Sequence, residues 1–374
     1  MSNILINCSN LTKGGGIQVA HSFLYEIRNI ETNNYIVVCS VAIFDQLRKE
    51  EFNNRFYFIK YDIKVNAINA IMGKNKFLSS LVNKFKINIV FTIFGPSYWK
   101  PSVYHVCGFA KPQYIYKDSP FFKQISLKHK LLLRIKEFFH IYDFKNNNNV
   151  LITENKDVTM KLSKIINKKI FTVTNYYNQV FDKPLKKTYL KFEEKYDAKL
   201  LTVCANYPHK NLKIIPKVIE YLLKTYPKFN FKFILSISEN EMNISNLAKK
   251  HIKFLGNIKI EDCPSLYNSC DYMFLPTLLE CFSATYCEAM IMKKPILTSN
   301  LPFARGICND AAVYFDPVSA KSIGDEIYNL HYDKDRQKTL INQGLERLNY
   351  FDNSKDRAEK YLNILEDETN YSRP

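Results

Sequence analysis

The stretch ILINCSNLTKGGGIQVAHSFLYEI, residues 4–27, decides the fold of the N-terminal half. Its first five residues are mostly apolar and predict a buried strand, and the next loop contains Gly14, Gly15 and Gly16. After the glycines, apolar residues recur at helical spacing as far as Ile27. Strand, glycine loop and helix in this order open a Rossmann-like unit, which builds a parallel sheet from strand–helix–strand connections.

Further strand candidates form two such series, so the sequence predicts an α/β fold of two doubly wound Rossmann-like domains. A chain of 374 residues also fits two domains better than one. We predict an N-terminal domain over 1–185, a C-terminal domain over 186–350, and a charged helical tail, 351–374, that can pack back on the first domain. The predicted strands are Ile4–Cys8, Tyr35–Cys39, Phe56–Lys60, Ile87–Ile93 and Val150–Thr153, then Leu200–Cys204, Phe229–Ile237, Lys253–Leu255, Tyr272–Leu275, Pro295–Thr298 and Val313–Phe315.

Two glutamates follow the predicted strand Tyr272–Leu275: Glu280 in the loop and Glu288 in the next predicted helix. Ligands of open α/β sheets bind beyond the carboxyl ends of the strands, so both carboxylates can reach one crevice. Sugar or ribose hydroxyls would compensate for the burial of these carboxylates, and free N–H groups at the helix start near Ser283 favour phosphate. The alternative is that the carboxylates only complement the helix dipole.

The segment Gly256–Pro317 resembles glycosyltransferase family 4, whose members are retaining enzymes with the GT-B fold, two Rossmann-like domains facing a cleft. The hallmark of that family is two glutamates separated by seven residues, which Glu280 and Glu288 match. The resemblance implies that Glu280 contacts the donor sugar and Glu288 the nucleotide ribose, with Phe282 and Ser283 also at the donor. Cys281 and Ser283 depart from the glycines that are usual in the family and narrow the loop.

A second candidate is Lys210 in the loop NYPHKN, residues 206–211, between a strand and a helix. A lysine at a helix start can neutralise a diphosphate, and the resemblance gives Lys210 and Asn206 this place in the donor site. Many family members have an arginine where this chain has Cys204, so either Arg305 or His209 compensates for it or the diphosphate is held less tightly. A plain surface lysine is the alternative.

Two features of the N-terminal half complete the predicted site. The resemblance places Gly14, Gly15 and Gly16 near the donor phosphates, where glycine lets the backbone approach a ligand closely, with a plain flexible turn as the alternative. The same resemblance makes His105 the candidate for a histidine near the donor sugar, with a structural histidine as the alternative. No histidine has metal-ligand spacing, so we expect metal-independent catalysis with no cofactor beyond the nucleotide sugar.

The charge of the chain and one segment indicate an anionic partner. Lysine and arginine exceed aspartate and glutamate by +17. Residues 121–143, FFKQISLKHKLLLRIKEFFHIYD, mix aromatic and basic residues and fit an interfacial helix on anionic lipid. A core helix with a solvated lysine face is the alternative for the segment, and a lysine-rich composition is the alternative for the charge.

Together these features predict a retaining glycosyltransferase that acts in bacterial surface polysaccharide synthesis. Its partners would be a nucleotide sugar, a glycan or polyprenyl-diphosphate-linked acceptor and an anionic membrane surface. Nine cysteines without a CxxC pair, and no apolar run of about 18 residues, predict a cytoplasmic protein that is at most peripheral on a membrane. Rival hypotheses are a nucleotide-sugar epimerase of the same fold and a basic nucleic-acid-binding protein, although no nucleic-acid-binding motif occurs.

Overall fold

The computed structural model describes residues 2–62, 71–185, 189–192 and 194–371. The chain forms two compact units. The predicted domain boundary follows residue 185, whereas unit 2 takes up the chain at Tyr176. Residues 186–188 of the predicted second domain lie outside the described residues. Unit 1 comprises Met1–Ile115, Ile125–Asn175 and Asp352–Pro374, and unit 2 comprises Tyr116–Gln124 and Tyr176–Phe351.

Unit 1 is built on a parallel sheet. Among the described residues its seven strands have the order β3-β2-β1-β4-β5-β6-β7. Alternate residues of one strand enter different cores, since Ile4 and Ile6 pack on one face and Leu5 on the other. The strands therefore need apolar residues on both faces. Their bounds are β1 Asn3–Cys8, β2 Asn34–Cys39, β3 Phe56–Lys60, β4 Ile89–Thr92, β5 Tyr104–Gly108, β6 Val150–Thr153 and β7 Lys169–Thr172.

The first and last helices of unit 1 pack against each other. Phe23 on the first helix meets Tyr361 on the last, with ring centroids 5.4 Å apart. The Arg357 guanidinium donates to the Ser22 hydroxyl at 2.8 Å. The C-terminal segment thus belongs to the core of unit 1. Numbered along the chain, the helices of unit 1 are α1 Gly15–Ile27, α2 Val41–Phe44, α3 Lys76–Lys84, α4 Pro112–Ile115, α6 Leu127–Asn146, α7 Lys156–Ser163 and α15 Ser354–Tyr371.

Unit 2 has a second parallel sheet, of six strands within the described part of the chain, in the order β10-β9-β8-β11-β12-β13. These strands are β8 Ala198–Thr202, β9 Phe231–Leu235, β10 Ile252–Phe254, β11 Tyr272–Leu275, β12 Ile296–Ser299 and β13 Ala312–Phe315. The helices of unit 2 are α5 Phe121–Gln124, α8 Ile215–Thr225, α9 Asn246–Lys250, α10 Cys263–Asn268, α11 Ala284–Ile291, α12 Pro302–Cys308, α13 Ala320–Tyr332 and α14 Lys334–Leu348.

The predicted α/β fold with two doubly wound parallel sheets is confirmed. Two strands were not predicted. In β5 the polar His105 interrupts the apolar run, and β7 is a four-residue edge strand that is not fully buried. Both patterns are weak because strand length and apolar periodicity carry the signal in a sequence.

The basic aromatic segment 121–143 forms α5 and most of α6. Of the residues in α6, only Asp143 and Phe144 are buried. Apolar side chains such as Leu131 and Phe138 are exposed, so the core-helix alternative is wrong for this segment. None of the described helices is both long and apolar enough to cross a membrane.

Gly108, the last residue of β5, lies where no side chain fits. A Cβ atom there would stand 1.8 Å from the carbonyl oxygen of Ile93, which is backbone and cannot rotate away. At Gly15, by contrast, a Cβ atom would meet no heavy atom within 4 Å.

We therefore expect Gly108→Ala to destabilise unit 1 by more than about 3 kcal/mol, since the clash forces the backbone of two strands apart. Gly15→Ala should change stability by less than about 1 kcal/mol, because it places a better helix former in open space. Thermal unfolding and soluble yield of both variants measure this difference. Equal melting temperatures of the two variants would contradict the tight packing at Gly108.

Candidate functional site

Two loops of unit 2 meet beyond the carboxyl ends of neighbouring strands. β8 and β11 are paired, and the strand order reverses between them, so this edge is the switch point at which doubly wound sheets bind ligands. The loop after β8 contains Lys210, and the loop after β11 contains Glu280. The Leu278 N–H donates to the carbonyl oxygen of His209 at 2.7 Å, which fixes one loop against the other.

An ion pair joins the same two loops. The Lys210 Nζ donates to Oε1 of Glu280, and the Thr277 hydroxyl donates to the same oxygen at 3.0 Å. Only 12% of the Lys210 side chain and 10% of the Glu280 side chain are exposed. Burial lowers the pKa of Lys210, but the Glu280 carboxylate outweighs it and leaves that pKa above its ordinary value. Lys210 is therefore a cation, and a buried one.

The backbone at Lys210 is held in one conformation. Pro208–Lys210 forms a single 3-10 turn, and Asn211 follows it in the left-handed region with φ 58°. The buried Asn211 amide donates to the carbonyl oxygen of Pro317 at 2.9 Å, and its oxygen accepts from Gln124 at 3.2 Å. Asparagine tolerates this backbone conformation better than most residues, so Asn211 suits the position where the turn that contains Lys210 ends.

Glu288 lies on α11 in a different polar environment from Glu280. Its side chain is buried, and Oε2 accepts a hydrogen bond of 3.0 Å from the Tyr267 hydroxyl. Burial raises the pKa of Glu288 to about 7, and the Tyr267 bond opposes that rise. The two glutamates share a strand–loop–helix segment, but Glu280 is bonded to Lys210 and Thr277, whereas Glu288 is bonded to Tyr267. Their use of one crevice stays a prediction.

Three predicted donor residues surround this segment. Ser283 is the N-cap of α11, and its hydroxyl contacts the Thr285 hydroxyl at 2.8 Å without capping a backbone N–H. Phe282 packs edge-on against Phe351, with ring centroids 5.6 Å apart. The Asn206 amide donates to the carbonyl oxygen of Glu241 at 2.7 Å. These contacts position the loops, and a donor role for the three residues stays a prediction.

The two residues proposed to replace the family arginine make contacts of different kinds. Burial lowers the pKa of His209, which favours the neutral ring. Arg305 stacks on the Tyr314 ring at 3.9 Å and donates to Asn300 at 2.9 Å. Burial also raises the pKa of Cys204 to about 11, so that thiol is neutral. Lys210 is thus the cation that contacts Glu280.

The glycine loop occupies the equivalent position in unit 1. It follows β1, which pairs with β2 on one side and β4 on the other, so the strand order reverses here as well. Gly14 has φ 79° and precedes α1, a conformation that favours glycine. Gly14 and Gly15 are exposed. The loop is open to a ligand, and its contact with donor phosphates stays a prediction.

His105 does not have the exposure that its predicted role requires. Its side chain is 0% exposed on β5. Nε2 is bonded to the Thr92 hydroxyl at 2.8 Å and Nδ1 to the carbonyl oxygen of Asn147 at 2.7 Å. Burial lowers the pKa of His105 to about 4, so the ring is neutral near neutral pH. This geometry supports the structural alternative, in which His105 connects β4 and β5 to the end of α6.

Three residues at the site were not among the predicted site residues. Thr277 donates a hydrogen bond to Glu280, and Tyr267 donates one to Glu288. Asn211 follows Lys210 in the chain and donates to the carbonyl oxygen of Pro317. The asparagine could have been found from its position at the end of a loop, where a left-handed residue is common. Thr277 and Tyr267 carry no such signal. Among the described residues no three His, Cys, Asp or Glu side chains come together as a metal site.

Sequence comparison places the C-terminal half in a known family. Residues 186–347 match the family model described as "Glycosyl transferases group 1". The O-antigen chain mannosyltransferase RfbU of Salmonella typhimurium is 22% identical over 222 residues, which are 58% of this chain and 58% of that protein. The match thus spans less than two thirds of the length of this relative.

Solved structures share the whole architecture. A glycosyltransferase from Rickettsia africae superposes with a TM-score of 0.71 at 17% identity and covers 98% of both chains. HepE of Anabaena, solved in complex with UDP and glucose, superposes with a TM-score of 0.67 at 12% identity over 98% of this chain and 100% of that one.

Two doubly wound sheets, with a charged loop at the switch point of the second, define a protein of the GT-B fold class. Within that class, residues 186–347 match the Glycosyl transferases group 1 family. The assignment of the chain to family 4 in particular stays a prediction.

Breaking the ion pair tests how strongly it holds the two loops together. Lys210→Met leaves a buried carboxylate without its cation, so we expect the melting temperature to fall by roughly 5–10 °C. Adding Glu280→Gln to that variant removes the uncompensated charge and should restore at least half of the loss. If the double variant melts at or below the single one, the pair does not have this role.

The raised pKa of Glu288 predicts a pH dependence of stability. The folded state holds the proton more tightly than the unfolded state, in which the pKa is near its ordinary value of 4.5. This stabilisation is present below about pH 4.5 and is lost as the pH rises through about 7. Glu288→Gln lacks the ionisation, so relative to wild type its melting temperature should rise between about pH 5 and pH 8. A constant difference across that interval would contradict the burial of an ionisable Glu288.

Proposed function

We propose that the protein is a retaining glycosyltransferase. It would move a sugar from a nucleoside-diphosphate sugar to a glycan or polyprenyl-diphosphate-linked acceptor, without a metal ion or further cofactor. The observation that carries this proposal is the Lys210–Glu280 pair at the switch point of a group 1 domain. It puts a buried cation and a carboxylate where the ligand of a doubly wound sheet binds.

Each partner of the pair suits one part of the donor. The Lys210 ammonium would bind a phosphate oxygen, and a cation in a site from which water is largely excluded stabilises a departing diphosphate strongly. Glu280 would accept hydrogen bonds from hydroxyls of the donor sugar. In the donor-free protein the two side chains neutralise each other, and a bound donor would take over both interactions.

Glu288 would bind the ribose of the nucleotide. A carboxyl group with a pKa of about 7 is partly protonated near neutral pH, so it can donate to or accept from a ribose hydroxyl. The Tyr267 hydroxyl, which already donates to it, would hold the carboxyl group in one orientation. Gly14–Gly16 would approach the donor phosphates from unit 1, as in the family that the chain resembles.

Retention of the anomeric configuration would follow from transfer on one face of the sugar. The acceptor hydroxyl forms a bond to the anomeric carbon on the side from which the diphosphate leaves. The bond between that carbon and the phosphate oxygen breaks, and the departing phosphate takes the proton of the hydroxyl. No enzyme nucleophile is needed, and we assign none.

The proposed acceptor and the proposed location in the cell are argued by analogy with the relative RfbU. RfbU is an O-antigen chain mannosyltransferase, so we propose that this protein acts in the synthesis of a bacterial surface polysaccharide, such as O-antigen or capsule. It would work in the cytoplasm, peripherally at the inner face of the membrane, where a polyprenyl-linked acceptor would be presented.

A thermal-shift screen of nucleotide sugars and nucleoside diphosphates identifies the donor, because a ligand raises the melting temperature when it binds the folded state.

With the donor known, Lys210→Met should weaken binding of the nucleoside diphosphate at least tenfold, or about 1.4 kcal/mol. Glu280→Gln should lower sugar transfer at least about a hundredfold and leave nucleoside diphosphate binding unchanged or tighter, since it releases Lys210.

Lys228→Met removes an exposed lysine elsewhere in unit 2 and is the control for loss of charge. Normal transfer by both Lys210→Met and Glu280→Gln would refute the assigned site. Turnover of the nucleotide sugar to its epimer without an acceptor would instead favour an epimerase. Tight, salt-dependent binding of nucleic acid, with no response to any nucleotide sugar, would favour the nucleic-acid hypothesis.

A further inference from the structure

Helix α6 presents an apolar face to solvent. The side chains of this face are Leu127, Leu131, Leu132, Ile135, Phe138, Phe139 and Tyr142. Leu127 is 82% exposed and Phe138 is 68% exposed, although both are among the more costly residues to leave in water. Single exposed apolar residues are common on protein surfaces, but a continuous set along one helix indicates an interaction site.

The spacing puts these side chains on one side of the helix. Leu127, Leu131, Ile135, Phe138 and Tyr142 follow one another at intervals of three or four residues, so they form one stripe. Leu132 and Phe139, seven residues apart, form a second stripe beside it.

A different side of α6 attaches the helix to unit 1. Phe144 is buried there, and Leu133 is partly buried. The exposed stripes therefore are not needed to hold the helix on its own unit.

Basic residues flank the apolar face. At about 100° per residue, Arg134 falls at one margin of the exposed stripes and Lys136 at the other, while Lys128 lies within the face near the start of the helix. All three side chains are exposed. The acidic residues of α6 are Glu137, on another side, and the buried Asp143. The face thus combines apolar contact area with a positive rim.

We infer that this face of α6 docks on an anionic lipid surface. Leucine and phenylalanine side chains would enter the boundary between headgroups and acyl chains, and the long basic side chains would reach anionic headgroups at the margins. Tyr142 suits the same boundary, since its ring is apolar and its hydroxyl polar. The overall charge of +17 adds a long-range attraction to the same partner.

Other occupants fit this face less well. A second copy of the chain packed on it about a two-fold axis would bring Arg134 and Lys136 close to their own counterparts, a like-charge contact that costs free energy. Nucleic acid would satisfy the basic rim and leave the leucine and phenylalanine side chains in water. An anionic bilayer surface satisfies both.

Lipid docking extends the proposed function. It rests on that function only in assuming that a lipid-linked acceptor would lie beside the enzyme. The experiment therefore omits donor and acceptor. Co-flotation of the full chain with vesicles of phosphatidylcholine, with and without phosphatidylglycerol, measures lipid binding. We expect at least about tenfold stronger binding to the anionic vesicles, and weaker binding as salt rises.

Two double variants test the two parts of the face. Leu131→Ser with Phe138→Ser should lower binding to anionic vesicles at least tenfold, and Arg134→Glu with Lys136→Glu should do the same. The matched controls change other exposed residues elsewhere: Met160→Ser with Leu247→Ser for apolar area, and Lys224→Glu with Lys228→Glu for charge. Both control variants should bind within about twofold of wild type.

The inference is overturned if wild type does not bind anionic vesicles, or if the Leu131 and Phe138 variant binds as well as its control. A dimer that dissociates in that variant, with no vesicle binding by wild type, would assign the face to a second copy. The response of the melting temperature to nucleotide sugars should be equal in all these variants. If the vesicle experiment contradicts lipid docking, the proposed donor site therefore still stands. If the nucleotide-sugar experiments contradict the donor site, lipid docking still stands.

Discussion

The buried ion pair between Lys210 and Glu280 is the constraint on which the proposed donor site depends. It joins two loops that are far apart in sequence but follow neighbouring parallel strands. Removing two charges from water is costly unless each has a partner, so the pair adds to the backbone hydrogen bond between Leu278 and His209 in holding the loops together. The Thr277 hydroxyl, which donates to Glu280, limits the movement of that carboxylate further. In the proposed function this arrangement would be preorganised for the anionic part of the donor.

The two units use the same edge of the same kind of sheet in different ways. At the switch point of unit 2 the loops hold charged side chains, and at the switch point of unit 1 they hold Gly14, Gly15 and Gly16. A charged side chain binds an anion strongly and fixes its position. A glycine backbone has more conformational freedom and lets a ligand approach closely. In the proposed function, both kinds of loop would contact the donor phosphates, one through a side-chain charge and the other through its backbone.

Some of the basic residues of the chain lie at the margins of the exposed apolar face of α6. A uniform excess of lysine would explain solubility and little else. Here Arg134 and Lys136 border a continuous apolar face, and neither feature is required by the packing of unit 1. An apolar face that folding leaves uncovered raises the free energy of the protein in water, so its presence is best explained by an occupant. For an enzyme with a lipid-linked acceptor, that occupant would bring enzyme and substrate to the same surface.

The sequence by itself determined the order of strands and helices, and therefore that Lys210 and Glu280 follow strands of one sheet, because local periodicity and the topology of parallel sheets fix these features. It did not reveal β5 or β7, whose apolar runs are short or interrupted. Only the tertiary structure decided that His105 has both ring nitrogens bonded inside unit 1, and that residues 121–143 do not form a core helix. The physical reason is that periodicity shows which residues share a face, whereas burial depends on what lies against that face, and those neighbours come from distant parts of the chain.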